Sequence, residues 1–271
     1  MPELPEVETI RCQLEASLKN KKILEAKILT PRIIRSSVKE FARRLKGAKI
    51  LSVGRRAKLL LLNFSNDWTL LTHLKMTGQY LISGKPDKHV HIIFKLSGKK
   101  QLLFRDVRKF GFLKLIKTSE LNNYFTKEKY GPEPLEKNFT LAKFTELLDN
   151  KTSGRIKPLL IDQKFLAGVG NIYAQEICFY AGVDPRRQIK TLNKKEIKKL
   201  FSGLKKILTS AVKLRGTSAD DYLDIHGHRG SYAQRLKVYR RKGKKCLRCG
   251  TALKEIRLGG RGTTYCPGCQ K

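Results

Sequence analysis

The chain has 271 residues, of which 40% are hydrophobic, so it is long enough to bury one large core or two ordinary ones. Its 58 lysines and arginines against 23 aspartates and glutamates give a formal charge of +35. This composition argues against disorder throughout. So positive a surface attracts polyanions, with nucleic acid the first expectation and an acidic membrane surface the weaker alternative.

The sequence carries no sign of a membrane or export route. The N-terminus lacks the apolar core of a signal peptide, and the longest aliphatic run, 59–62, is too short to span a membrane. No lipidation motif or basic amphipathic segment lies near either terminus. We therefore expect an intracellular protein without membrane association.

The opening stretch, MPELPEVE, is a candidate for chemistry. Removal of Met1, which a small second residue favours, exposes the secondary amine of Pro2. Because an α-amino group titrates near ~8, against ~10.4 for lysine, a useful fraction is unprotonated at neutral pH and can attack a sugar C1′. Glu3 lies beside this amine as a possible proton donor, with Glu6 and Glu8 following at helical spacing. The alternative is that these residues simply begin a surface helix that runs to about residue 19.

Residues 22–116 contain short segments rich in β-forming residues and bounded by turn residues. Seven such segments in fewer than a hundred residues predict a sandwich or a barrel. The predicted strands are 23–29, 49–53, 58–64, 68–74, 90–96, 101–105 and 112–116.

The pattern then changes from strands to helices. Residues 130–135, YGPEPL, contain two prolines and a glycine, which suits a linker between domains. Apolar residues recur at offsets of three and four over 197–212, and Asn193 is a plausible cap at the start of this helix. Shorter helices are predicted over 141–148 and 171–180.

Four of the six cysteines form two CxxC pairs near the C-terminus, separated by sixteen residues. In an intracellular chain this spacing favours a four-thiolate zinc site over disulfides, and four thiolates leave no position for water, so the site is expected to be structural. Residues 235–271 carry twelve lysines and arginines and one acid, which is also compatible with a disordered polyanion-binding arm. The sequence GGRG between the pairs predicts a β-hairpin turn. The isolated Cys12 and Cys178 are predicted to be core residues.

Two further regions are candidates for binding nucleic acid. The segment 164–171 contains two glycines and leads into a helix N-terminus, an arrangement that suits phosphate binding, with Lys157 upstream as a possible extra charge or an ordinary surface lysine. Met76 and Phe110 lie in predicted turns, where they either wedge into a duplex or pack under their own loops. Lys58 is either a solvated lysine at a strand end or a phosphate contact.

The chain resembles, from end to end, the formamidopyrimidine-DNA glycosylase family of bacterial base-excision repair enzymes. The resemblance rests on eight motifs in family order: MPELPEVE, GRRAK, HLKMTG, DVRKFG, YGPEPL, AGVGNIYAQE, LKVY and a terminal CxxCG…GGRGTTYCPGCQ. It implies an α+β fold of two domains: an N-terminal helix plus an antiparallel β-sandwich, then a helical helix–two-turn–helix domain ending in a four-cysteine zinc-finger β-hairpin. The predicted domains are a catalytic β-sandwich (1–131), a linker (132–138), a helical DNA-binding domain (139–234) with a lesion-capping loop (216–232), and a zinc-finger hairpin (235–271).

The resemblance also implies roles for individual residues. Pro2 would be the nucleophile, Glu3 the general acid and Lys58 a catalytic phosphate contact, with Glu6 supporting them. The residues implied to fill the void left by a flipped nucleotide are Met76, Arg108 and Phe110. The implied phosphate contacts are His73, Lys157, Asn171, Tyr239 and Arg261. The implied loop contacts are Thr217, Ser218 and Tyr222, the implied structural acid is Glu176, and the implied zinc ligands are Cys246, Cys249, Cys266 and Cys269.

The implied reaction joins glycosylase and lyase steps on damaged double-stranded DNA, whose target nucleotide must be flipped out of the stack. One structural zinc, and neither a redox cofactor nor a catalytic metal, is implied, and we expect a monomer in the bacterial cytoplasm, associated with the nucleoid. The sister enzyme endonuclease VIII usually has glycine where this chain has Leu4. This difference favours oxidised purines over oxidised pyrimidines as substrates. The alternatives are an endonuclease VIII-like glycosylase for oxidised pyrimidines and a non-catalytic damaged-DNA-binding protein.

The sequence departs from the family pattern at four of the positions compared. Thr77 stands where an acid or serine is usual, Gln175 replaces a common aspartate, and Ala233 and Arg235 replace a common glutamine and glutamate. Because the capping loop reads the base largely through backbone groups, the changes at Ala233 and Arg235 bear on lesion preference more than on the chemistry.

Overall fold

The computed structural model of the chain describes residues 1–82, 84–151, 153–219 and 221–271. The chain forms two compact units, one of Met1–Glu128 with Leu214–Ala233 and one of Lys129–Lys213 with Gln234–Lys271. The predicted domain boundaries differ from this division, because they group the loop 216–232 with the helical domain, and they stay predictions. Asp220 of that loop lies outside the described residues. Among the described helices, none is both long and apolar enough to cross a membrane.

The first unit opens with helix α1, Leu4–Leu18. Its apolar positions 4, 7, 10, 14 and 18 recur at offsets of three and four, so they share one face, and all are buried. Cys12 lies off this face and is exposed, so the prediction that it is a core residue is wrong, whereas Cys178 is buried as predicted.

Two four-stranded antiparallel sheets form the body of the first unit, which confirms the β-sandwich. Their strands are β1 (Ile23–Ile28), β2 (Ile50–Arg56), β3 (Leu59–Phe64), β4 (Trp68–His73), β5 (Gly78–Ile82), β6 (Val90–Leu96), β7 (Lys100–Asp106) and β8 (Phe112–Lys117). One sheet has the order β1-β6-β7-β5 and the other β2-β3-β4-β8. Their buried side chains, among them Leu62, Leu70, Phe94 and Phe104, form one continuous core with α1.

The sequence prediction omitted three elements of this unit: strand β5 and the helices α2, Val38–Leu45, and α3, Leu121–Glu128. A signal for α2 was present. The Ser37 hydroxyl accepts a hydrogen bond from the Glu40 N–H, and the buried Phe41 and Leu45 lie four residues apart. By contrast, α3 buries no residue completely, so it lacks the apolar stripe on which helix prediction depends.

The second unit is helical, with a small hairpin. Its helices are α4 (Leu141–Asp149), α5 (Ile156–Ile161), α6 (Asn171–Ala181) and α7 (Lys194–Lys213), and its strands are β9 (Lys254–Leu258) and β10 (Arg261–Tyr265). The predicted cap of α7 is confirmed, because Asn193 Oδ1 accepts from the Glu196 N–H at 3.0 Å. The hairpin turns at Gly259 and Gly260, both with positive φ, which glycine adopts without strain.

Candidate functional site

The start of α1 places the two predicted catalytic residues in a buried setting. Pro2 is buried and Glu3, the N-cap residue, is 2% exposed. The Glu3 backbone N–H donates to Glu6 Oε2 at 2.8 Å, and Glu6 Oε1 accepts from the Thr217 N–H at 2.7 Å. Glu6 thus joins the helix start to the first residues of the lesion-capping loop. A Cβ at Gly216 would lie 2.7 Å from Glu6 Oε1, so only glycine permits this approach.

Lys58 lies in the tight turn between β2 and β3 and is 6% exposed. An ion pair ties this turn to α1: Arg55 Nε donates to Glu8 Oε2 at 2.8 Å, and Arg55 Nη1 donates to the Ala57 carbonyl at 2.8 Å. Ala57 has φ of 52°, a left-handed conformation that costs energy for a non-glycine residue. The Arg55 guanidinium therefore holds the backbone that precedes Lys58 in place relative to α1.

His73, at the end of β4, is held as a neutral imidazole. Its Nδ1 accepts a hydrogen bond from the Lys75 N–H at 2.9 Å, so the ring proton lies on Nε2, which can donate. The ring also packs against Phe112, with 5.7 Å between the ring centroids. Burial, together with the positive charges of Lys75, Lys58 and Arg35, lowers the pKa of His73 from 6.5 to about 3.

This histidine should make the protein less stable in mild acid. Because the folded pKa of His73 lies below 6.5, the unfolded chain binds more protons from pH 6.5 down to about pH 3, and stability is lost as the pH falls through that range. When the pH is lowered from about 7 to about 4.5, the free energy of unfolding should decrease by roughly 2 kcal/mol less for His73→Gln than for the parent. Urea titrations at both pH values measure this free energy. His228→Gln, which changes an exposed imidazole, is the control; identical pH slopes for parent and His73→Gln would contradict the prediction.

The three predicted void-filling residues lie in two turns of the first unit. Met76, in the β4–β5 turn, is 40% exposed, and Phe110, in the β7–β8 turn, is 52% exposed. The Arg108 guanidinium carbon lies 4.7 Å from the centroid of the Phe110 ring. The alternative in which Met76 and Phe110 pack under their own loops is wrong, since both side chains are substantially exposed.

The predicted lesion-capping loop, residues 216–232, forms hydrogen bonds within itself and to the sandwich. Ser218 Oγ donates to the Tyr222 carbonyl at 2.7 Å and accepts from the Gly230 N–H at 2.8 Å. Gln79 of β5 donates to the Asp221 carbonyl at 2.7 Å. Tyr222 is 6% exposed and joins the sandwich core, and burial raises the pKa of its hydroxyl. Thr217 and Ser218 are buried as well.

The segment between α5 and α6 makes the predicted pair of turns in the second unit. Gln163 joins them: its amide nitrogen donates to the Val169 carbonyl at 2.8 Å, and its oxygen accepts from the Gly168 N–H at 2.9 Å. Asn171 then begins α6. Its amide nitrogen donates to the Gly262 carbonyl at 3.2 Å, so the end of the two turns is joined to β10.

Lys157 lies deeper than a solvated or phosphate-contacting lysine would. It is 0% exposed, and its ammonium donates to Asn171 Oδ1 at 2.5 Å and to Thr263 Oγ1 at 3.0 Å. Because Asn171 Oδ1 is occupied by Lys157, the Asn171 amide nitrogen is directed the other way, as a donor. Lys157 therefore lies behind Asn171 and orients it.

Glu176 of α6 organises the backbone around Tyr239. This carboxylate is 3% exposed and accepts three backbone N–H bonds, from Lys237, Val238 and Tyr239, at 2.9 to 3.0 Å. Burial raises the pKa of Glu176, while the three N–H groups favour its charged form. Its place beneath the backbone, without exposure of its own, agrees with the structural role that the resemblance implies.

The four C-terminal cysteines converge on one point. Their Sγ atoms all lie within 4.8 Å of one another, with 3.4 Å between Cys249 and Cys266 and 3.9 Å between Cys246 and Cys269. Tetrahedral zinc with bonds of ~2.3 Å requires thiolates ~3.8 Å apart, so the cluster fits this ion. Arg261, the first residue of β10, is exposed beside the hairpin turn.

Sequence reasoning missed several residues that hold the site together. Arg55 was not distinguished from other surface charges, Glu8 was noted only for its helical spacing from the start of the chain, and Gln163 was not considered. Asp106 was read only as part of a turn, although an aspartate two residues before Arg108 is a recognisable side-chain-to-backbone turn signal. The remaining residues that hold the site together bond to partners distant in sequence, so no local sequence pattern identifies them.

Comparison with known proteins places these features in one family. Residues 1–113 match the formamidopyrimidine-DNA glycosylase N-terminal domain, residues 130–222 the H2TH domain of the same enzymes, and residues 243–271 a zinc finger found in FPG and IleRS. A glycosylase of that name from Listeria innocua is 44% identical over 277 residues, and one from Pelotomaculum thermopropionicum is 43% identical over 275 residues. The alignments cover the whole chain and 100% and 99% of the respective relatives.

A solved structure agrees with the sequence comparison. Lactococcus lactis Fpg in complex with DNA containing an abasic site superimposes with a TM-score of 0.93 at 37% identity, covering 99% of each chain. A sandwich, a helix–two-turn–helix segment and a four-thiolate hairpin together define a class of zinc-finger DNA glycosylases. The chain belongs to the formamidopyrimidine-DNA glycosylase family. The predicted fold and the one structural zinc ion are thereby confirmed.

Proposed function

We propose that the chain removes oxidised purines from double-stranded DNA and cuts the strand at the resulting site, using the amine of Pro2 as nucleophile. Family membership makes it an enzyme of base-excision repair. The observation that carries the proposal is the burial of Pro2 and Glu3 together at the start of α1. Removal of Met1 turns Pro2 into a secondary amine beside a carboxyl group, both withdrawn from bulk water.

The chemistry follows from these two groups. The lone pair of the Pro2 nitrogen forms a bond to C1′ of the damaged nucleotide as the bond from C1′ to the base breaks. The base leaves with the bonding electrons and takes up the proton that the Pro2 nitrogen, now a tertiary ammonium, releases. Glu3 protonates the ring oxygen as the sugar opens, which leaves an iminium ion. This ion acidifies the C2′ proton. Loss of the C2′ proton expels the 3′ phosphate by β-elimination, and a second elimination expels the 5′ phosphate.

Lys58 and Glu6 support this reaction in different ways. Lys58, fixed after the turn that Arg55 holds, would place its ammonium on a phosphate next to the target sugar. Glu6 would keep the Glu3 backbone and the capping loop in register, since each of its oxygens accepts one of their N–H groups.

The proposed phosphate contacts include one donor in the first unit and three in the second. His73 would donate through Nε2–H and Asn171 through its amide, while Tyr239 and Arg261 are positioned by Glu176 and by the hairpin. For Lys157 we propose orientation of Asn171 in place of the direct phosphate contact expected from the resemblance, because its ammonium is buried. We further propose that the protein acts as a monomer in the cytoplasm, associated with the nucleoid.

Oxidised pyrimidines are the second candidate substrate class. Solved complexes of wild-type Lactococcus lactis Fpg include one with N7-benzyl-Fapy-dG DNA and one with DNA containing an oxidised pyrimidine. That relative therefore binds DNA with a formamidopyrimidine as well as DNA with an oxidised pyrimidine.

An incision assay over a lesion panel tests the proposed function. Duplexes would carry 8-oxoguanine opposite cytosine, a formamidopyrimidine, an oxidised pyrimidine or an abasic site. We expect incision of the purine lesions with products phosphorylated at both ends of the gap. Glu3→Gln, which keeps the side-chain shape but cannot give up a proton, should lose about 10²-fold or more of this activity while still binding DNA. The proposal fails if no lesion is cut. If the oxidised pyrimidine is cut faster than the purine lesions, the substrate class is oxidised pyrimidines.

A further inference from the structure

Exposed apolar side chains are concentrated in one place on the first unit. Seven large hydrophobic residues are exposed among those that the structure describes, and three of them lie in the β4–β5 and β7–β8 turns. They are Met76 at 40%, Val107 at 45% and Phe110 at 52% exposure. Val107 has no role in the proposed function so far. An exposed apolar cluster of this kind is typical of a surface that binds another molecule.

A single buried carboxylate connects the two turns. Asp106, at the end of β7, is 0% exposed. Its Oδ1 accepts from the Thr77 hydroxyl at 2.5 Å and from the Arg108 N–H at 3.2 Å, and its Oδ2 accepts from the Gly111 N–H at 2.7 Å. The Thr77 oxygen in turn accepts from the Arg108 N–H at 3.0 Å. Thr77, the residue after Met76, is thus bonded directly to the start of the turn that carries Arg108 and Phe110, and Asp106 extends the connection to Gly111 at its end.

The surrounding backbone is built to keep these bonds. Lys75 and Lys109, one in each turn, have φ of 51° and 55°, conformations that a non-glycine residue keeps only where its neighbours hold it. A Cβ at Gly111 would lie 2.9 Å from Asp106 Oδ2 and 3.1 Å from the Phe104 ring, so this close approach requires glycine. Both turns are therefore fixed in shape before any partner binds.

We propose that Thr77 and Asp106 lock the two turns into one preassembled wedge, and that Val107 is a further apolar contact of this wedge with the base pairs beside the lesion. This inference rests on the proposed function, because the occupant is an unstacked step of duplex DNA. Entering a duplex costs unstacking energy, and a wedge that is already ordered does not add the cost of ordering two loops. Thr77 and Asp106 are positioning residues; they touch the wedge and not the reacting atoms.

A matched pair of variants at Thr77 tests the lock. Thr77→Val removes the hydroxyl and keeps the shape, whereas Thr77→Ser keeps the hydroxyl. The probe is a duplex with a tetrahydrofuran abasic analogue, which cannot react, and 2-aminopurine in the adjacent position, whose fluorescence rises on unstacking. At saturating protein we expect the rise with Thr77→Val to be at least about threefold smaller than with the parent, and the rise with Thr77→Ser to match the parent.

A second readout separates positioning from folding. Thr77→Val should cut a duplex abasic site at least about tenfold more slowly than the parent, yet cut a single-stranded abasic oligonucleotide at the parent rate, since no stack has to be opened there. If the cleavage rate of Thr77→Val falls equally on both substrates, or does not fall on the duplex, the proposed role of Thr77 is wrong. If the parent cuts neither substrate the proposed function fails, whereas the fluorescence comparison still decides the wedge because it needs no chemistry.

The contact of Val107 is tested by truncation. Val107→Ala should weaken binding to the abasic-analogue duplex about threefold or more, because apolar area is no longer buried against DNA. Leu29→Ala is the control, since Leu29 is also 45% exposed and lies outside both turns. Equal affinities for the Val107→Ala and Leu29→Ala proteins would remove Val107 from the wedge.

Discussion

Pro2→Gly is expected to reduce covalent trapping by borohydride, on DNA with 8-oxoguanine opposite cytosine, by more than an order of magnitude. Borohydride reduces the iminium between Pro2 and C1′, so the trapped adduct reports the nucleophile directly. Glycine in second position also allows removal of Met1 and leaves a free α-amine. That amine is primary and sits on a backbone with more conformational freedom, so it is less well fixed in the buried setting beside Glu3.

Two measurements accompany this experiment. Intact mass must show that Met1 is absent from both parent and variant, because a retained methionine would block the amine in each. Binding to a non-reactive abasic-analogue duplex should be unchanged, since Pro2 is not among the proposed phosphate contacts. Trapping of the Pro2→Gly protein at the parent level, through an adduct that maps to a lysine, would show that the nucleophile lies elsewhere.

Loss of zinc should abolish specific DNA binding and leave the β-sandwich unit folded. The hairpin has only a small apolar core around Val238 and Leu253, and its strand β10 carries Thr263, which Lys157 contacts. Thiolate coordination of zinc contributes ~10–16 kcal/mol in small zinc modules, more than such a core provides. Without the ion, β10 would detach and the Lys157–Asn171 arrangement would lose one of its supports.

The two units can be followed separately in this experiment. Trp68 is the single tryptophan of the chain and lies in β4 of the sandwich, so its fluorescence reports the first unit alone. Chelation, or Cys266→Ser, should leave the midpoint of the tryptophan transition in place while binding of an abasic-analogue duplex falls to the level of non-specific DNA. Cys12→Ser is the control, because Cys12 is exposed and far from the cluster in sequence. Full binding by the zinc-free protein would show that the hairpin is dispensable.

The elements predicted best from sequence are those with local signals. Helix α7 has a strict apolar period and the Asn193 cap, and both features are present in the structure. The CxxC pairs define a metal site through spacing alone, and the thiolates converge as expected. Strand β5 and helix α3 were missed because a five-residue strand and a helix with no fully buried residue provide too short or too weak a pattern.

The environment of each candidate residue was predicted less well. Lys157 was expected near the surface, as one basic residue among 58. Its buried ammonium instead donates to Asn171 and to Thr263, which lies 106 positions further along the chain. Met76 and Phe110 were left between two interpretations, and only the packing of the sandwich shows that both are exposed. No sequence pattern reveals that Asp106 serves two turns, because Thr77 lies 29 residues before it.

By itself, the sequence determined which groups are available: a proline in second position with a carboxyl group beside it, four cysteines at zinc spacing, and a surplus of positive charge. These depend only on residue type and local order. The tertiary structure alone decided what each group faces: that Glu6 joins the helix start to the capping loop, that Lys157 orients Asn171, and that Asp106 unites two turns. The reason is that burial and hydrogen-bond partnership are set by contacts between residues distant in sequence, and those contacts exist only once the sheets and helices have packed.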